Sequence, residues 1–287
     1  MRCLIDADVL VYEIGYASQW VGEDGEMQYL SAEKVEENLA QKIKEIEEEC
    51  WADEESTLYL TINTWLKDNI HKYIDTPEVD SPGYSDNFRV ELAKTKPYKG
   101  TRKEDKPFHY YNILSIMLSN YTVIISDGME ADDEMSIEQV YSEPLTTIIC
   151  TRDKDLRMIP GMHFGWECGK QPQFGPVEVD KVGGISLTKQ GIKGTGMAFF
   201  YSQLVTGDAV DNIPGLPRGG PAMAFKLLGS LSDADEMFSA VVTAYKDKMG
   251  DDWKEYLTEQ AQLLWMIRGY DNWGIPQQWE MPDGYED

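Results

Sequence analysis

Histidine is scarce in this chain and cysteine is scattered. The 287 residues include three histidines and four cysteines, and neither type forms a paired motif. Cys3, Cys50, Cys150 and Cys168 show no C-x-x-C spacing, so neither a disulfide framework nor a zinc site is suggested, and the cysteines read as small buried thiols. No His- or Cys-based nucleophile constellation is visible. No run of about 18 apolar residues exists, which excludes a readable transmembrane helix. The start, Met1-Arg2-Cys3-Leu4-Ile5-Asp6, meets a carboxylate too early for a signal peptide, so a cytosolic protein is expected. Low-complexity tracts and internal repeats are absent too. With 42% hydrophobic and 11% aromatic residues, there is material for a core, and whole-chain disorder is excluded.

Positive charge is also in short supply. Lys and Arg number 26 against 51 acids, a net charge of −25. Taken whole, that opposes a nucleic-acid partner, because such affinity rests on cations meeting phosphates. The charge is uneven, however. Residues 23–55 hold thirteen acids against three lysines, and residues 251–287 hold nine acids against two basic residues. Residues 89–106 reverse the sign: Arg89, Lys94, Lys96, Lys99, Arg102, Lys103 and Lys106 outnumber Glu91, Glu104 and Asp105. One basic patch on an acidic body is a candidate anion site.

Short apolar or β-branched runs at residues 2–5, 57–62, 122–125 and 146–150 read as strands. Helical spacing follows at 9–20, at 110–118 and from about 131, and Ser31 opens a strong helix with Val35, Leu39, Ile43 and Ile46 on one face. Residues 63–87 read as an irregular insertion. From about residue 195 the chain reads helical, at 197–205, 222–228, 234–248 and 253–267. The expected fold is α/β, a central mostly parallel sheet flanked by helices with a helical C-terminal part. The seam is expected near residue 190, giving a catalytic part at 1–190 and a helical part at 191–287.

Carboxylates gather where such sheets bind ligands, at the carboxyl ends of strands. Asp6 ends the first strand, with Asp8 two residues on. Glu130, Asp132 and Asp133 stand at a strand-to-helix turn, Asp153 and Asp155 follow the next strand, and Asp208 and Asp211 lie in Gly207–Gly215. Each acid alone is explained by helix capping. Four groups at successive strand ends or turns point instead to a hard divalent cation, Mg²⁺ or Mn²⁺, held by oxygen ligands. Two such ions suit phosphodiester hydrolysis. Asp208 and Asp211 share a face if the helix at 197–205 continues through them, and with Asp153 and Asp155 would then form a second cage. The glycine-rich turn of Gly215, Gly219 and Gly220 offers backbone N–H groups to a phosphate.

In order, Leu4-Ile5-Asp6, Tyr98-Lys99-Gly100-Thr101-Arg102, Glu130-Ala131-Asp132-Asp133, Thr151-Arg152-Asp153-Lys154-Asp155 and Gly207-Asp208 through Asp211-Asn212-Ile213-Pro214-Gly215 resemble the 5′-nuclease family, most of all phage 5′→3′ exonucleases. The resemblance implies a PIN-like nuclease fold, with a basic arch region near 88–120 and a helix–hairpin–helix-like element near 207–229. It implies a first metal site of Asp6, Asp86, Glu130, Asp132 and Asp133, and a second of Asp153, Asp155, Asp208 and Asp211. Lys99 and Arg102 are implied to contact the scissile phosphate. Arg89, Lys94, Lys96, Tyr98 and Lys103 join them as DNA contacts, Tyr98 by stacking on a terminal base. The family's lysine after the hairpin glycines is replaced here by Arg218-Gly219-Gly220-Pro221-Ala222. The implied function is cleavage of DNA near 5′ ends (duplex, flap or gapped), extending to RNA–DNA hybrids. It would be carried out by a monomer, in a bacterial host's cytoplasm if phage-encoded, with K⁺ at the hairpin element. Two rival readings stand: a non-catalytic acidic mimic of DNA, and a metal-dependent RNase built on the same sheet.

Overall fold

The computed structural model describes residues 1–74, 87–101 and 105–285. In chain order the elements are β1 (Arg2–Asp6), α1 (Ala7–Ala17), β2 (Gln19–Val21), β3 (Met27–Tyr29), α2 (Ala32–Glu49), β4 (Thr57–Thr61), α3 (Thr64–Asn69), α4 (Phe88–Leu92), α5 (Tyr110–Asn120), β5 (Thr122–Ser126), α6 (Ala131–Tyr141), β6 (Thr147–Cys150), β7 (Gly161–Gly165) and β8 (Phe174–Val179). A hairpin of β9 (Gly184–Thr188) and β10 (Gly191–Thr195) leads into α7 (Gly196–Thr206), α8 (Pro221–Leu228), α9 (Ala234–Met249) and α10 (Trp253–Leu264).

The main sheet runs β5-β4-β1-β6-β7-β8. Its first five strands are parallel, and β8 closes the edge antiparallel to β7. Parallel strands lie under helices on both faces, which is why β1, β4 and β6 read as nearly unbroken apolar runs. Alternation divides their side chains between two cores. Leu4, Tyr59 and Ile149 pack with the C-terminal helices, whereas Cys3, Ile5, Leu58, Leu60, Ile148 and Cys150 pack under α1, α2 and α5. The second face is closed by Val35, Leu39, Ile43 and Ile46 of α2, whose other side carries the acidic run to solvent. Ser31 caps that helix by accepting from the Lys34 N–H at 3.3 Å.

Helix α7 is buried from Gly196 to Val205, so it forms the middle of the C-terminal layer and shows no polar stripe. The expected seam near residue 190 falls in the β9–β10 turn. A single apolar cluster takes residues from both sides of it, from Leu4 and Ile149 to Phe200 and Leu257. The strands β2, β3 and β7–β10 were not legible in the sequence. They are short, glycine-interrupted or exposed, so neither period stands out. Among the described residues no helix is long and apolar enough to cross a membrane.

Candidate metal and nucleic-acid site

The carboxyl ends of β1, β4, β5 and β6 place the acids together. Asp6 ends β1 and caps α1, with one oxygen accepting from the Val9 N–H at 3.1 Å and the other from the Thr151 hydroxyl at 2.6 Å. Asp8, in the first turn of α1, accepts from the Thr61 N–H at 3.1 Å. The Thr61 hydroxyl in turn accepts from the Ala131 N–H at 2.8 Å, which sets the start of α6 against β4. Glu130 caps α6 and receives Asn87 at 2.9 Å and the Lys99 ammonium. Asp153 accepts from the Asp155 N–H at 2.8 Å.

Electrostatics identifies which acids feel one another's charge. Burial, followed by the charges of Asp8 and Asp153, pushes the Asp6 carboxyl up to about 7. Asp132 is pushed well above the usual carboxylate range by burial and then by Asp6, Asp153 and Glu130, with Lys99 opposing. Asp8 is raised by burial and by Glu130, against its bonds from Thr61 and the charge of Lys99. Asp6, Asp8 and Asp132 are therefore desolvated within reach of the charges of Glu130 and Asp153, a repulsion that a hard cation relieves.

A second group lies alongside. The Lys154 ammonium bridges Asp155 at 2.7 Å and Asp208 at 2.6 Å. Burial, then the charge of Asp153, raises Asp155 to about 7 even with Lys154 present. Burial also acts to raise Asp208, but Lys154 holds it below its ordinary value. An open cleft of about 1210 Å³ beside this group is lined by Asp153, Asp155 and Asp208 together with Arg157, Lys170 and Lys193.

The carboxylates are spread too widely for a single closed ligand set. Among the described residues, the only trio of His, Cys, Asp or Glu whose ligand atoms all lie within 4.8 Å of one another is Cys3, Cys50 and Cys150. Oxygen donors at wider spacing suit Mg²⁺ or Mn²⁺, because Mg²⁺ keeps several waters between itself and the protein.

Several expected site residues are placed otherwise. Asp133 points away from the carboxylate field: it is fully buried against Arg89, and its oxygens also accept from the Glu130 and Ile267 N–H groups. Arg89 is 1% exposed, so it does not meet DNA. Tyr98 is buried as well, and its hydroxyl donates toward Glu130 and Asp211 at 3.3 Å, so its ring is not presented to a terminal base. Helix α7 stops at Thr206, where Gly207 takes φ +67°, and Asp208 pairs with Ile213 across a turn. The helix therefore does not continue through Asp211. Asp208 turns to Lys154, while Asp211 turns to Tyr98, and its carbonyl accepts from the Lys99 N–H at 2.9 Å.

Two hairpin glycines are likewise committed inward. The Gly215 N–H donates to Gln260 at 3.0 Å and the Gly219 N–H to the Leu216 carbonyl at 2.7 Å, which leaves Gly220 at the start of α8. Lys94 and Lys96 are exposed, and Lys94 pairs with Glu255 at 3.2 Å. Asp86, Arg102 and Lys103 lie outside the described residues. Sequence reasoning named Asp8 without assigning it to the site, and gave no role to Lys154. The D-A-D string at a strand end was the available signal for Asp8.

No family model matches the chain. It is 31% identical over 122 residues, 41% of this chain, to DNA polymerase I of Rhizobium leguminosarum, and spans only 11% of that protein. Among solved structures it is similar to the T5 5′-exonuclease with bound zinc (TM-score 0.48, 13% identity, 92% of this chain and 99% of that one). It is also similar to the bacteriophage T5 D15 flap endonuclease in a pseudo-enzyme-product complex with DNA and metal ions (TM-score 0.45, 11% identity, 91% and 98%).

Proposed function

We propose that the protein is a divalent-metal-dependent 5′ nuclease that hydrolyses DNA phosphodiesters near 5′ ends, by exonucleolytic or flap cleavage. The observation that carries this reading is the shared field of Asp6, Asp8, Glu130, Asp132 and Asp153 at the strand ends, with Lys99 among them. These acids would hold one cation, and Asp155 and Asp208, with Asp211 beside them, would hold another. Mg²⁺ or Mn²⁺ is the proposed metal, with K⁺ at the hairpin element. Bound there, such a cation neutralises charge on a phosphate and acidifies water.

The chain's own groups do the rest. Thr151 and Thr61 fix the directions of Asp6 and Asp8 through their hydrogen bonds. Tyr98 and Asn87 hold Glu130, and the Lys99 ammonium brings positive charge to the position proposed for the scissile phosphate. Arg102, Lys103 and Asp86 keep the roles that the resemblance implies, and Lys94 and Lys96 are proposed as outer phosphate contacts. RNA–DNA hybrids are a further proposed substrate, acted on by a monomer in the cytoplasm. A DNA mimic would set its acids on an exposed face, and these are desolvated at strand ends, which favours the nuclease.

Incubation with 5′-labelled duplex, flap and RNA–DNA hybrid substrates, with Mg²⁺ and then with EDTA, tests the proposal. Metal-dependent release from 5′ ends is expected. Intact substrate at every metal concentration would overturn it.

A further inference from the structure

We propose that Cys3, Cys50 and Cys150 form a thiolate site for one soft divalent cation of the zinc class, separate from the carboxylate site. The three thiols come from distant parts of the chain. Cys3 in β1 and Cys150 in β6 lie on adjacent parallel strands, with Cys3 opposite Ile148 and Ile5 opposite Cys150, so both face the core under α2. Cys50 is the residue that ends α2. All three are 0% exposed. Their sulfurs lie within 4.8 Å of one another, and the Cys50 and Cys150 Sγ atoms are 3.6 Å apart.

Sulfurs bound to a common zinc ion at about 2.3 Å stand roughly 4 Å from each other. The trio already has that spacing, so binding requires little movement of a packed core. All three are free thiols. Each would release its proton to solvent on binding, since the thiolate is the ligand. Three thiolates on a divalent ion leave one negative charge, and the Met1 ammonium lies within electrostatic reach of Cys3. Ligand softness separates the two sites: thiolates select zinc-like ions, whereas the carboxylates suit Mg²⁺. The inference does not depend on the nuclease reading.

The test uses the reduced, metal-stripped full-length chain in excess Mg²⁺, titrated with Cd²⁺ and followed by thiolate-to-metal charge-transfer absorbance. One equivalent per chain is expected, together with a rise in melting temperature. Cys168→Ser should behave as wild type, because Cys168 lies outside the trio, and Cys50→Ser should lose the band. No band in the folded wild-type chain would overturn the proposal whatever the variants do, as would a band that survives Cys50→Ser. A Cys50–Cys150 disulfide in the protein as purified would also overturn it.

Discussion

Arg89 of α4 and Asp133 of α6 form a two-pronged ion pair, at 2.6 and 2.8 Å, that neither residue shares with solvent. The guanidinium also donates to the Leu263 and Trp265 carbonyls, at 3.2 and 2.6 Å. The pair therefore ties the basic segment, α6 and the end of α10 together behind the carboxylate site.

Asp133→Ala should destabilise the protein by about 3–5 kcal/mol, because it strands a buried guanidinium. Denaturant unfolding measures this. A double variant, Arg89→Met with Asp133→Leu, should recover only part of the loss, because it removes the buried charge but leaves the Glu130 and Ile267 N–H groups without the Asp133 oxygens.

Asp132→Ala should have the opposite profile. Its carboxylate is pressed by Asp6, Asp153 and Glu130, so removal relieves repulsion. Cleavage should be abolished while the metal-free unfolding midpoint stays level or rises. Near-normal turnover by the folded variant would withdraw Asp132 from the metal site.

The raised Asp6 carboxyl carries a pH signature. Its ordinary value is 3.8 and its folded value is about 7, so between those limits the folded state keeps a proton that the unfolded chain has released. Its contribution to stability therefore falls as pH rises through that window. Compared with Asp6→Asn, metal-free wild type should lose stability between about pH 4 and 7, and Mg²⁺ should restore it at the alkaline end. Equal slopes for the two proteins would contradict the assignment.

Lys99→Ala should lower the maximal rate more than it weakens DNA binding, since its ammonium sits at Glu130 inside the acidic field. Single-turnover rates at saturating DNA separate the two effects. Full recovery at saturation would make Lys99 a binding residue only. The exposed Lys96 should instead reduce the salt slope of binding by roughly one unit when removed.

Asp208→Asn weakens the ion pair with Lys154 and removes one carboxylate proposed to hold the second cation. Its rate deficit should shrink as Mg²⁺ or Mn²⁺ is raised, while DNA binding in Ca²⁺ changes little. A deficit that is constant at every metal concentration, with stability reduced by about 1 kcal/mol, would make Asp208 only the turn residue that caps Val210 and Asp211.

Apolar and β-branched runs located β1, β4, β5 and β6, and apolar helix-like segments located the four C-terminal helices, because parallel strands and packed helices must carry apolar side chains where neighbouring elements cover them. The strand-end carboxylates were legible for the same reason: where an apolar strand stops, the next polar side chain lies at the sheet edge. Direction was not legible. Asp132 and Asp133 are neighbours in sequence, but successive residues on a helix point about 100° apart. One faces Asp6 and the other enters the core toward Arg89. Arg89 reads as a surface cation until its carboxylate is seen, since only pairing makes a buried guanidinium tolerable. The same holds for the Cys3, Cys50 and Cys150 cluster and for the Gly215 N–H taken by Gln260. Contacts between residues tens to a hundred positions apart leave no local pattern, so only the packed structure decides them.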